Sequence, residues 1–215
     1  MKSPDITIID YGLGNLLSVS RGFEHCGAKI TITSDPKVVI ESNRVVLPGV
    51  GAFPNAMALL EKYNLIEALK EYGNSGKPLL AICLGMQLLM DESEEFAPTD
   101  GLGLIPGRVV SIPSKDSLGE ETKVPHIGWS PLLPTHSKKK WTGTLLQDND
   151  EADSVYFVHS FQVLPADPAN EVAYTQYGQH RISSVISKDH IVGCQFHPEK
   201  SGLLGLKIMR RFCNV

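Results

Sequence analysis

Cys83 stands between an apolar run and a helix-like run in LLAICLGMQLLM (residues 79–90). A thiol on the sharp turn from a strand into a helix forms a nucleophile elbow. The turn is strained, so small neighbours help, and Ala81 and Gly85 lie two residues to either side. The elbow would hold the sulfur at the N-terminus of the following helix, where the positive end of the dipole favours a thiolate. A lone cysteine after a buried strand is otherwise a small packed hydrophobe. The catalytic reading therefore needs partners elsewhere in the chain.

A base partner is offered by His197, alone among seven histidines in having a suitable context. The run IVGCQFHPEKSG reads as a strand that ends abruptly at His197-Pro198, with Glu199 two residues on. If the chain stays extended through Pro198, both side chains point to one side, and the carboxylate can orient the imidazole as the third member of a triad. The bland alternative is a surface His-Pro-Glu turn. Acyl transfer through cysteine also needs an oxyanion hole. Pro48-Gly49-Val50-Gly51 follows a strand, as Cys83 does. Glycine there lets the backbone aim N–H groups at a developing oxyanion, where the alternative is only a turn with positive φ. Parallel strands would bring such ends together at their carboxyl edge.

The elements that must position these groups follow from the pattern. Residues 5–10, 28–33, 44–47 and 78–82 read as strands. They alternate with helical runs at 16–25, 54–63, 65–72 and 84–90. That alternation predicts a parallel sheet covered on both faces. The second half carries short β-like runs at 101–112, 124–129, 155–163, 171–177, 183–187 and 190–196, then a closing helix at 203–212. The fold class expected is α/β, a central and mostly parallel sheet flanked by helices with an antiparallel extension. Residues 114–122 and 137–151 read as polar loops.

With 215 residues, 42% hydrophobic and 20% charged, the chain suits one domain over residues 1–215. A net charge of -4 argues against a nucleic-acid partner, and Lys138-Lys139-Lys140 reads as a solvated loop. No apolar run approaches the roughly 20 residues of a membrane span, so no membrane partner is expected. Cys26, Cys83, Cys194 and Cys213 show no paired metal spacing, and no metal or cofactor is expected. MKSPDITIIDYG has no secretory apolar region. A cytoplasmic protein with reduced thiols is the expectation.

PGVGAF, AICLGMQLL and FHPEKSG together resemble the class I (triad) glutamine amidotransferases, whose fold is flavodoxin-like. DYGLGNLLS, KVPHIGW, YFVHSF and HPEKSG narrow the resemblance to the glutaminase subunits of imidazole glycerol phosphate synthase, in histidine biosynthesis. The likeness runs from Asp10 to beyond Gly202. Three positions depart from the family pattern. Ala81 stands where the elbow usually has glycine, Ser130 where Asn is frequent, and Phe161 where many members have Tyr.

The resemblance implies that Cys83 attacks the side-chain amide of glutamine. His197 then serves as base and acid, Glu199 orients it, and N–H groups of Gly49, Val50, Gly51 and Leu84 bind the oxyanion. It further implies that Gln87, Glu95 and the segment His159-Ser160-Phe161 hold the substrate, Glu95 at the α-ammonium and the segment at the α-carboxylate. Ammonia set free in water would be protonated and lost as a nucleophile. The resemblance accordingly implies a (β/α)8-barrel cyclase docked over the site as a separate chain in a heterodimer. Asn15, Trp129 and Lys200 lie in motifs around the expected mouth and are assigned to the interface, with ordinary core packing the alternative for Trp129. A silent free subunit, with a carbonyl of the Gly49–Gly51 strand turned toward the oxyanion site, is also expected. The rivals are another class I amidotransferase (of anthranilate, guanylate or pyridoxal phosphate synthesis), a partner-independent γ-glutamyl cysteine hydrolase, and a catalytically dead interaction module.

Overall fold

The computed structural model describes residues 3–115, 119, 121–135, 141–150 and 153–215. The first half runs β1 (Asp5–Ile9), α1 (Leu16–His25), β2 (Lys29–Thr33), α2 (Pro36–Glu41), β3 (Val45–Gly49), α3 (Phe53–Lys62), α4 (Leu65–Gly73), β4 (Leu79–Cys83) and α5 (Leu84–Leu88). The second half runs β5 (Glu92–Ser93), β6 (Thr99–Asp100), β7 (Gly107–Ser111), β8 (His126–Pro131), β9 (Leu133–Pro134), β10 (Ser154–His159), β11 (Phe161–Pro165), β12 (Glu171–Tyr177), β13 (His180–Lys188) and β14 (Ile191–Cys194). It closes with α6 (Gly202–Cys213).

An eight-stranded sheet in the order β2-β1-β3-β4-β14-β13-β12-β9 forms the centre. Pairing is parallel from β2 through to β14 and antiparallel beyond it. The α/β expectation, with its antiparallel extension, holds. Strand alternation explains how both faces are filled. Val45, Leu47, Leu79 and Ala81 enter one core with Phe53, Leu60, Leu69 and Tyr72. Val46, Leu80 and Ile82 enter the opposite core with Phe23 of α1 and Ile208, Met209 and Phe212 of α6. A ribbon of β10 with β8 and a four-stranded sheet, β11-β7-β5-β6, stand beside the central sheet.

Register fixes the working edge. Gly49 pairs with Cys83, and Cys194 pairs with Ile82, so β3, β4 and β14 end together. The close approach of α5 to β3 depends on Gly85, because a Cβ there would be driven into the Leu47 carbonyl oxygen.

The differences from the sequence reading have physical causes. Residues 155–163 form two strands, broken at Ser160, that pair in two different sheets. Within 101–112 only Gly107–Ser111 is a strand, and Gly101 packs closely against the Met90 carbonyl. The helix after Cys83 ends at Leu88, and its following N–H groups bond back to Met86 and Gln87 carbonyls. The unforeseen α2 begins at Asp35, whose carboxylate accepts from Lys37 N–H, with Pro36 in the first turn. The reading of 137–151 as one polar loop fails for its described part, because Trp141, Leu145 and Leu146 are buried in the core. Lys138-Lys139-Lys140 lies outside the described residues, as do parts of 114–122.

Candidate active site

Cys83 adopts φ 56° and ψ -112°, a backbone state that costs a non-glycine residue about 1–3 kcal/mol. The strain comes from turning directly from the last residue of β4 into α5 without an intervening loop. It lifts the side chain over the carboxyl edge of the sheet, where Cys83 is buried to 6% exposure. Since α5 is only five residues long, what it offers the sulfur is free N–H groups at its start more than a long dipole.

His197 follows β14 and is held in place by its own N–H, which donates to the Tyr156 carbonyl at 3.0 Å. Its Nδ1 lies 2.8 Å from Glu199 Oε1. Nε2 has no hydrogen-bond partner, and neither does Glu199 Oε2. Burial alone lowers the basicity of this imidazole. The neighbouring Cys83 sulfur and the hydrogen-bonded Glu199 carboxylate outweigh it and push His197 up to about 10. The imidazole is thereby held protonated beside the Cys83 sulfur. Burial, with the Glu199 charge added, pushes the Cys194 thiol up to about 12.

A cleft of about 410 Å³ opens over this pair. Cys83, His197, Leu84, Val50, Gly51, Gln87, Glu95, His159, Ser160 and Phe161 all line it. Two expected site residues stand behind it. Glu199 backs His197, with 1% of its side chain exposed. Gly49 packs inward, where a Cβ would come within 2.5 Å of the Tyr11 hydroxyl. Glu95 Oε2 accepts from Phe53 N–H at 2.6 Å, so the carboxylate also caps α3. Gln87 Nε2 donates to the Phe161 carbonyl and to Gln195 Oε1, both at 3.2 Å.

Of the three residues assigned to docking, Trp129 and Lys200 meet on one tyrosine ring. Asn15 accepts from Ser18 N–H and caps α1. Trp129 is 57% exposed, which removes the core-packing alternative, and meets Tyr156 edge-on at 6.0 Å. Lys200 Nζ lies 5.9 Å from the same tyrosine ring. Ile127, Val124, Val158 and Val50 are exposed as well, and Val158 and Val50 also line the cleft.

Sequence reasoning missed several groups. Pro125 and Val158 line the cleft, and both lie in motifs already singled out, KVPHIGW and YFVHSF. His126 and Gln195 are buried polar residues beside the site, at 1% and 0% exposure. Their positions two to four residues from Trp129, Ser130 and His197 were the available signal. Ser130, the departure from the family's Asn, bonds its hydroxyl to His126 Nε2 at 2.9 Å. Among the described residues no cluster of His, Cys, Asp or Glu is arranged to hold a metal ion, and no helix is long and apolar enough to cross a membrane.

Comparison with known proteins gives the family. Residues 7–214 match the family model described as glutamine amidotransferase class-I. The chain is 47% identical over 210 residues to the imidazole glycerol phosphate synthase subunit HisH 1 of Legionella pneumophila (strain Lens), covering 98% of this chain and 99% of that protein. It is 44% identical over 208 residues to the HisH subunit of Syntrophotalea carbinolica, covering 96% and 98%. The structure of PurLQS from Thermotoga maritima shares the fold, with a TM-score of 0.73 over 99% of both chains at 15% identity. A thiol on a strained strand end, a histidine–carboxylate pair facing it and these sequence matches lead to one conclusion: the chain belongs to the class I glutamine amidotransferases, among the HisH subunits of imidazole glycerol phosphate synthase.

Proposed function

We propose that the cleft binds glutamine, that Cys83, His197 and Glu199 hydrolyse its side-chain amide, and that the ammonia passes to a (β/α)8-barrel cyclase docked over the mouth. The observation that carries the reading is the pairing of a 2.8 Å His197–Glu199 contact with an unpartnered His197 Nε2 beside Cys83. An imidazole held by a carboxylate on one nitrogen and free on the other is ready to move a proton.

The thiolate attacks the amide carbon, and the C–O π pair moves onto oxygen. N–H groups of Leu84 and of the Gly49–Gly51 strand receive that oxyanion. His197 gives its Nε2 proton to the amide nitrogen as the C–N bond breaks, leaving ammonia and a γ-glutamyl thioester. Neutral His197 then takes a proton from water, hydroxide adds to the thioester carbon, and collapse expels the thiolate with glutamate. Imidazolium and thiolate are restored, so one cycle consumes one water and needs no other co-reactant. Glu95 suits the substrate ammonium, and the 159–161 segment suits its carboxylate.

The exposed apolar residues around the mouth, Trp129 and Ile127 above all, support a docked partner that keeps the ammonia out of water. Gly51 has φ +101° with open space where a Cβ would stand, so the peptide beside it can turn at low cost. Silence of the isolated chain is assigned to this strand. The test is glutamate release from glutamine by the chain alone, then with a barrel cyclase and its nucleotide ligand, with Cys83→Ala in parallel. Strong activation that vanishes in Cys83→Ala is expected. Full turnover by the chain alone would overturn the gating, and turnover by Cys83→Ala would overturn the nucleophile.

A further inference from the structure

Gln195 is fully buried, comes two residues before His197, and has no part in the triad. Its backbone N–H donates to the Ser184 carbonyl at 2.9 Å, which anchors it to β13. Its side chain lies between Gln87 and Cys83. Amide nitrogen and oxygen look alike in shape, so their orientation must be read from the surrounding network.

That network has one solution. The Phe161 carbonyl can only accept, and it takes bonds from His159 Nδ1 at 2.8 Å and Gln87 Nε2 at 3.2 Å. Gln87 is thereby oriented, and its second N–H meets Gln195 Oε1 at 3.2 Å. Gln195 must then turn its Nε2 toward Cys83 Sγ, 3.9 Å away. The reverse orientation would set two N–H donors face to face at Gln87 and aim a carbonyl lone pair at a thiolate. On the far side, His159 donates through Nδ1, so its Nε2 accepts from His126 Nδ1 at 3.1 Å, and His126 Nε2 accepts from the Ser130 hydroxyl at 2.9 Å. Burial keeps both imidazoles neutral, at about 4 for His126 and about 3 for His159. The orientation of each amide and imidazole in the chain is thus assigned.

We propose that Gln195 is a further catalytic residue: its Nε2–H donates to the Cys83 thiolate, aimed there by the amides and imidazoles behind it. This rests on Cys83 being the nucleophile. A buried thiolate needs compensation. His197 supplies part of it, since it carries its proton whenever the sulfur is free, and that proton is exchanged in every cycle. Gln195 keeps its N–H throughout, a fixed donor that favours the charged sulfur before attack and again as it departs from the thioester. The groups that interact electrostatically with Cys83 are His197 and the buried Tyr11, and Glu95 lines the same cleft.

The test is alkylation of Cys83 by iodoacetamide, a probe small enough to bypass the glutamine subsites, followed by mass spectrometry of the Cys83 peptide across pH 6–10. Gln195→Met keeps the length and removes the donor. Gln195→Glu keeps the acceptor for Gln87 and replaces the donor with a charge. A hydrogen bond to a charged group supports a loss of about tenfold or more in alkylation rate at pH 7 for Met, larger for Glu, with the profile moved to higher pH. Turnover with the barrel partner should lose more in kcat than KM gains. Rates within twofold of the parent chain in both variants would overturn the proposal. Should the variants fail to fold, side-chain ¹⁵N amide spectra of the parent chain decide it: one Gln Nε2 resonance must move when Cys83 is alkylated, and none moving is refutation. Cys83→Ala separates the two layers, since activity surviving in it would sink the nucleophile itself.

Discussion

Replacing Glu199 with Gln preserves shape and removes one charge from the pair that raises His197. The side chains of His197 and Glu199 are 4% and 1% exposed, so water screens their interaction little. The rise from 6.5 to about 10 corresponds to roughly 5 kcal/mol in favour of imidazolium. Cys83 and Glu199 share that preference against the opposing effect of burial. Assigning half to the carboxylate gives about 2 kcal/mol, or somewhat under two pH units. The alkaline limb of glutamine hydrolysis should therefore move from near pH 10 to about pH 8, and the variant should lose about tenfold more activity at pH 9 than at pH 7. The assay is glutamate release from pH 6 to 10 with the barrel partner and its ligand present. Stability carries the same sign. A raised His197 stabilises the fold fully below pH 6.5, and the contribution fades as pH rises through about 10. The gap in unfolding free energy between parent and variant should be widest at the low end and close toward pH 10. Alkaline limbs that superimpose would refute the reasoning, because Glu199 would then not be what holds the proton on His197.

Three further outcomes follow from single observations. Cys83→Gly should abolish turnover yet raise Tm by a few degrees, since it releases the φ 56° strain worth about 1–3 kcal/mol; thermal scans and the hydrolysis assay read both. Gly85→Ala should lower Tm and activity together, because its Cβ meets the Leu47 backbone oxygen and forces α5 off β3 at about 1–3 kcal/mol or more. Burial holds His126 and His159 neutral, at about 4 and about 3, so stability is present above pH 6.5 and lost as pH falls through that window; the urea midpoint should drop steeply from pH 6.5 to 4, and His126→Gln should flatten the slope.

The regular half of the fold was legible because its signals are local. Leu16–His25 is an amphipathic helix stopped by Cys26-Gly27, and Glu171–Tyr177 is bounded by turn residues, and both were read to the residue. The break at Ser160 was not legible, because YFVHSFQV keeps a strand-like composition while the chain leaves β10 for another sheet. Cys83 and His197 could be read because strand ends are marked by their own sequence. Gln195 and His126 could not, because what makes them special is a partner far along the chain: Gln87 is 108 residues from Gln195, and His159 is 33 from His126. A polar residue at the end of a strand says nothing by itself about which buried donor it will meet.

The two halves of the chain divide the chemistry in a way that the sheet order enforces. The parallel strands end on the groups that form and break bonds, Cys83 as the last residue of β4 and His197 after β14, with Gly49 beside Cys83. The added ribbon of β8 and β10 supplies His159 and the exposed Trp129 on paired strands. Anything pressing on the outer face of that ribbon acts on Trp129, which sits between His126 and Ser130 in sequence. The inner ends of those neighbours run through His159 to the Phe161 carbonyl, and from there through Gln87 and Gln195 to the sulfur. A shift of β8 by a fraction of an ångström must lengthen at least one bond of this buried chain, and a buried polar group that loses its partner costs about 1–3 kcal/mol. A partner docked on the ribbon, as proposed above, would therefore act on Cys83 by two routes, through this chain of bonds and through Val158 and His159, which line the cleft.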